Sequence, residues 1–75
     1  MEITAKSDSE DIRIYVDSIL HLRIPRDKNA KLQSWIEGHT KTFVIELVVK
    51  GHADIIVYDN REMWRKVLKL LDEHI

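Results

Sequence analysis

"IRIYVDSILHLRIP", Ile12 to Pro25, decides the fold because it can be read in two ways. Ile12, Ile14, Val16, Leu20, Leu22 and Ile24 occupy even positions, as one face of a strand requires, while Ile12, Tyr15, Val16, Ile19 and Leu20 also satisfy helical spacing. Capping favours the helix: Ser7 and Glu10 could open it, Glu10 and Asp11 suit its first turn, and Pro25 follows its end. The run of β-branched residues favours the strand, where such side chains pack on a pleated surface, and strand is the preferred reading. A two-residue hairpin at Asp17-Ser18 pairs Ile14 with His21 and Ile12 with Arg23, mixing apolar and polar faces. A continuous strand with a bend or bulge is therefore expected there.

Downstream, "KLQSWIEG" reads as a further strand that ends at Gly38, with "HTK" continuing the hairpin loop; a short helix from Asp27 competes, since Asp27, Ala30, Leu32 and Trp35 tolerate one. "TFVIELVVKGHADIIVYDN" is β-branched and divided at Gly51-His52, which predicts strands over 41–50 and 53–58. In "YDNREMWRKVLKLLDEHI", Asp59 and Glu62 have capping-box spacing, so a helix should begin near Asn60. Trp64, Val67, Leu68, Leu71 and Ile75 fall on one face of it, widened by Met63 and Leu70. The expected class is α+β: a small antiparallel meander of about four strands, ββββα, with the C-terminal amphipathic helix packed on one face. If 9–22 is helical, the order becomes αβββα. Residues 1–10 are polar and acidic and are expected to fray or remain disordered.

A chain of 75 residues closes one small globular domain, 1–75, and its 44% hydrophobic content is enough to build a core. The absence of cysteine excludes disulfides and thiolate-bound zinc. The N-terminus lacks the apolar stretch of a signal peptide, and no run approaches the roughly 20 apolar residues that span a bilayer. No membrane association and a cytoplasmic location are the expectation. A formal charge of −1 and a pI near 6.4 argue against a non-specific nucleic-acid binder, which needs an overall basic field.

The residues that could carry chemistry do not group. His39 and His52 flank the same strand, about 30 Å apart at the usual rise, and no H-x-x-x-H spacing occurs. Ser18 and Ser34 lack a glycine-flanked elbow, and Gly38 and Gly51 serve turns rather than a phosphate-binding loop. No catalytic, metal or cofactor-binding residue is assigned, and no cofactor is expected.

"FVIELVV", Phe43 to Val49, sets Glu46 among apolar residues. Alternation sends Phe43, Ile45, Leu47 and Val49 toward the helix, and Val44, Glu46 and Val48 to the opposite side. One helix cannot cover both faces, so a partner-covered surface of Val44, Glu46, Val48, Ile56 and Tyr58 is expected. Strand 53–58, at the end of the meander, contains no lysine or proline to discourage edge pairing. The function this suggests is a small non-enzymatic protein–protein interaction or homo-oligomerisation domain, such as a homodimer. The alternative is a nucleic-acid-associated regulatory protein that uses the helical stripe Arg61, Arg65 and Lys69.

Overall fold

Asp17 and Ser18 both adopt left-handed backbone, with φ of 49° and 68°, in the computed structural model, which describes residues 1–75. Two successive positive φ values form the tight turn that joins twisted antiparallel strands. The chain reverses there, between β2 (Asp11–Val16) and β3 (Ile19–Pro25), so the expected continuous strand is corrected to a hairpin. The objection to that hairpin was the mixing of faces, and a bulge removes it. Val16 pairs with Ile19 and Tyr15 with Leu20, but Ile14 then pairs with Leu22, leaving His21 as the extra residue. Beyond the bulge Ile12 meets Ile24 and Arg13 meets Arg23, so apolar faces apolar and charge faces charge. The helical alternative for 9–22 is likewise excluded by these ladders.

Segment 1–10, expected to fray, contains strand β1 (Ile3–Ser7), which pairs with β2 from Ile3–Val16 to Ser7–Ile12. The second half of the chain forms β4 (Lys31–Glu37), β5 (Thr42–Val49) and β6 (His52–Tyr58). The helical option from Asp27 falls with β4. The molecule is thus α+β, but the single four-strand meander is replaced by two three-stranded antiparallel sheets, β1-β2-β3 and β4-β5-β6, plus helix α1 (Arg61–His74). None of its helices is long and apolar enough to cross a membrane.

The sheets separate at the connector 26–30, which is tied to both. The Arg26 backbone N–H donates to Glu10 O, and its guanidinium donates to Asp8 O and His74 O. The Asp27 carboxylate accepts from the backbone N–H of Asn29 at 2.9 Å and of Lys50 at 2.8 Å, clasping the connector to the β5–β6 turn. Those two amides, Lys50 first, hold the Asp27 carboxyl below its ordinary range.

Helix α1 begins one residue later than the capping box implied. Asn60 is the N-cap, and its side chain accepts from the Met63 N–H at 2.9 Å, so Glu62 is not placed to return the bond. The helix lays its stripe on both sheets. Ile12, Ile14 and Ile24 from the first sheet, Ile45, Leu47, Val49 and Tyr58 from the second, and Val67 and Leu71 from α1 make one buried cluster. Trp64 is structural: it packs on Phe43 with centroids 5.3 Å apart and donates its indole N–H to Val44 O at 3.1 Å.

Two outcomes test this architecture. Ser18→Gly relieves a left-handed penalty of about 1–2 kcal/mol but adds roughly 0.5–1 kcal/mol of chain entropy, so a net gain of up to about 1.5 kcal/mol is expected in chemical denaturation. A loss instead would mean that Ser18 does not hold positive φ. Asp27→Asn should lower stability at neutral pH. Because the native carboxyl lies below its unfolded value, its contribution is complete above about pH 4 and disappears as acid protonates the native state. The stability gap between parent and variant should therefore close on acidification, and a gap that persists in acid would rule out the charged clasp.

Candidate protein-binding face

The Lys50-Gly51 turn, with φ of 50° and 80°, fixes which side each β6 residue takes. Val49 pairs with His52, so Val44 meets Val57, Glu46 meets Ile55, and Val48 meets Ala53. On the other flank Val44 meets Trp35, Glu46 meets Gln33, and Val48 meets Lys31. Directly paired residues share a face. The side of this sheet turned away from the core is therefore three rows: Trp35–Val44–Val57, Gln33–Glu46–Ile55 and Lys31–Val48–Ala53.

This register sets Val44, Glu46 and Val48 beside one another on the side away from the buried cluster and corrects the placement of the other two expected members. Ile56 pairs with Ile45 and Tyr58 with Phe43, which places both on the core side. The two-residue turn pairs residues whose numbers sum to an odd value and so exchanges odd and even positions between β5 and β6. Tyr58 is buried, its hydroxyl shares a 2.8 Å hydrogen bond with His21 Nε2, and burial pushes its pKa up to about 12. Trp35, Ile55 and Val57 take their place on the face, and the Lys50-Gly51 pair was the signal that could have located the last two.

Exposure on this face is uneven. Ile55 is 60% and Val57 58% exposed, Trp35 is 38%, and Val44 between its two neighbours is only 5%. Glu46 is half-buried at the centre and makes no ion pair or side-chain hydrogen bond. It is an unpaired carboxylate set between Gln33 and Ile55 across the strands and Val44 and Val48 along its own.

The outer side of β1-β2-β3 has the opposite character. The buried Asp11 carboxylate accepts from Arg23 Nε at 2.6 Å, while Arg13 Nε stands 3.2 Å away without hydrogen-bond alignment. The bond to Asp11 raises the Arg23 pKa. Asp8 Oδ1 accepts the backbone N–H groups of Asp11 and Glu10, which lower its carboxyl pKa, and Arg13 lies 3.3 Å from its other oxygen. With Lys6 alongside Arg13 in the ladder, this surface is charged and laced by ion pairs.

Arg61, Arg65 and Lys69 are exposed on α1 and carry no ion pair, unlike Lys66, which reaches Glu62 at 3.3 Å. Arg65 and Lys69 line a groove of about 370 Å³ between α1 and β4, with Leu32 and Leu68 as apolar lining and Asp72 also present. The groove thus mixes two cations with an acid and apolar side chains. Of the histidines, His21 meets Tyr58, His74 Nδ1 lies 3.0 Å from Ser7 Oγ, His39 sits in the β4–β5 turn, and His52 opens β6.

Paired positions on adjacent strands provide a check on the two faces. Ile45→Ala should cost about 2–5 kcal/mol because it opens a cavity in the core, whereas Ile55→Ala should stay within about 0.5 kcal/mol when measured on dilute protein. Equal losses would show that the faces have been misassigned.

No family model, no curated protein and no solved structure matches this chain.

Proposed function

We propose that this chain is a small protein-interaction domain that works by binding, through homo-oligomerisation on the β4-β5-β6 sheet. The observation that carries the reading is the apolar side of that sheet: Ile55 and Val57 stand mostly exposed and Trp35 partly so, beside the half-buried Val48 and the buried Val44. Scattered surface leucines and isoleucines are normal, and Ile19 and Leu20 at the β2–β3 turn are of that kind. Contiguous apolar patches with polar neighbours mark contact surfaces. The contrast within one molecule supports the choice, since the first sheet turns a charged, ion-paired layer outward and the second does not.

Binding as the activity also accounts for how the perturbed groups are used. Asp8 and Asp27 spend their carboxylates on backbone amides, and Tyr58 is raised by burial against the core. Each perturbation has a structural use.

Light scattering and sedimentation equilibrium should show concentration-dependent self-association. The double variant Ile55→Lys, Val57→Lys should weaken it by about tenfold or more while far-ultraviolet circular dichroism stays unchanged. A strict monomer at high micromolar concentration overturns the reading.

A further inference from the structure

We propose that β6 pairs antiparallel with β6 of a second copy about a two-fold axis at Ile55, fusing two three-stranded sheets into one of six. This inference rests on reading the β4-β5-β6 sheet as a self-association surface, and it identifies the seam.

Four strands lie at sheet edges, β1 and β3 in one sheet and β4 and β6 in the other. Open edges invite another strand, and charged side chains, proline and bulges discourage it. β1 carries the exposed Lys6, and β3 carries Arg23, Pro25 and the His21 bulge. β4 begins at Lys31 and is flanked by the α1 groove with Arg65 and Lys69. β6 contains no lysine, arginine or proline, its one charge is Asp54, and its ladder to β5 is unbroken. No backbone hydrogen bond outside the regular elements reaches it. At its far end Tyr58 turns inward to His21, and at its near end His52 closes the turn opposite Val49, so the open stretch is Ala53–Val57.

That stretch matches itself in one register. Residues paired across a continuous sheet share a face, so a two-fold axis must pass through a residue rather than between two. Centred on Asp54, the axis sets that carboxylate opposite its own copy, and like charges directly opposite are destabilising. Centred on Ile56, it leaves Ala53 and Asp54 unpaired within the open stretch. Centred on Ile55, it uses every open residue: Ile55 meets the partner's Ile55, Ala53 meets the partner's Val57, and Asp54 meets the partner's Ile56. No acid faces an acid. Asp54, the only charged residue in the open stretch, thus selects the register, and the outer row Ala53–Ile55–Val57, apolar on both sides of Ile55, selects a second copy as the occupant. Closure of the seam would place the exposed Ile55 and Val57 of each subunit in one apolar strip across both.

The chain has no cysteine, so single introduced thiols report the geometry without background. Ile55→Cys and Glu46→Cys would be compared with a short bismaleimide, alongside light scattering of the parent. The proposal expects covalent dimer from Ile55→Cys at least about tenfold faster than from Glu46→Cys, with the paired Cβ atoms about 5 Å apart. A mixture of Ala53→Cys and Val57→Cys should crosslink where neither does alone. If the parent associates but Glu46→Cys reacts faster, the sheets pack face to face: the seam is overturned and the interaction reading stands. If the parent remains monomeric, the reading fails and the seam with it. An associating mixture that does not crosslink overturns the register.

Discussion

The one-residue bulge at His21 is the constraint on which the molecule depends. Side chains alternate with a period of two, so without it the β2–β3 hairpin would set Ile12 opposite Arg23 and Ile14 opposite His21, and β3 would turn these polar side chains onto the apolar side of β2. With it, Ile12, Ile14, Leu22 and Ile24 gather on one side, and Arg13 and Arg23 on the other around Asp11. The bulged residue is itself used: its imidazole reaches Tyr58 across the gap between the sheets, joining the strand that is irregular to the one whose edge is open.

Each sheet is a meander of local hairpins, a topology that assembles quickly because few contacts wait on long loop closure. Neither sheet has a core of its own, since the buried cluster takes members from both and from α1. The helix and the connector clasps therefore set the cooperativity of the domain. Arg26 fastens the connector to the β1–β2 turn and to the last turn of α1, and Asp27 fastens it to the β5–β6 turn, so the angle between the sheets is defined by polar contacts around an apolar centre.

The helix, β5 and β6 were legible in the sequence because strong periodicity or β-branching marks them, and the α+β class followed from that. The break at Asp17-Ser18 was not legible, because the pairing that makes it acceptable depends on a bulge four residues later, and a bulge carries no strong composition signal. β1 was hidden by its polarity: an edge strand buries only alternate side chains, and "ITAKS" shows Ile3 and Ala5 inward with Thr4 and Lys6 outward. On the candidate face, alternation alone placed Val44, Glu46 and Val48, since all three lie in one strand. Ile56 and Tyr58 were misplaced because parity across a hairpin depends on loop length, which alternation within a strand does not contain.

Glu46 has a consequence that precedes any folded surface. Phe43 to Val49 would otherwise be seven consecutive apolar residues of high β-propensity, the kind of segment that stacks with copies of itself into dry cross-β layers. A carboxylate in the middle of that segment, unpaired in the native sheet, would place a ladder of negative charges along any in-register stack and act as a gatekeeper while the chain is still extended. The residue that is least at ease in the finished sheet is therefore the one that keeps the nascent chain from reaching an insoluble alternative.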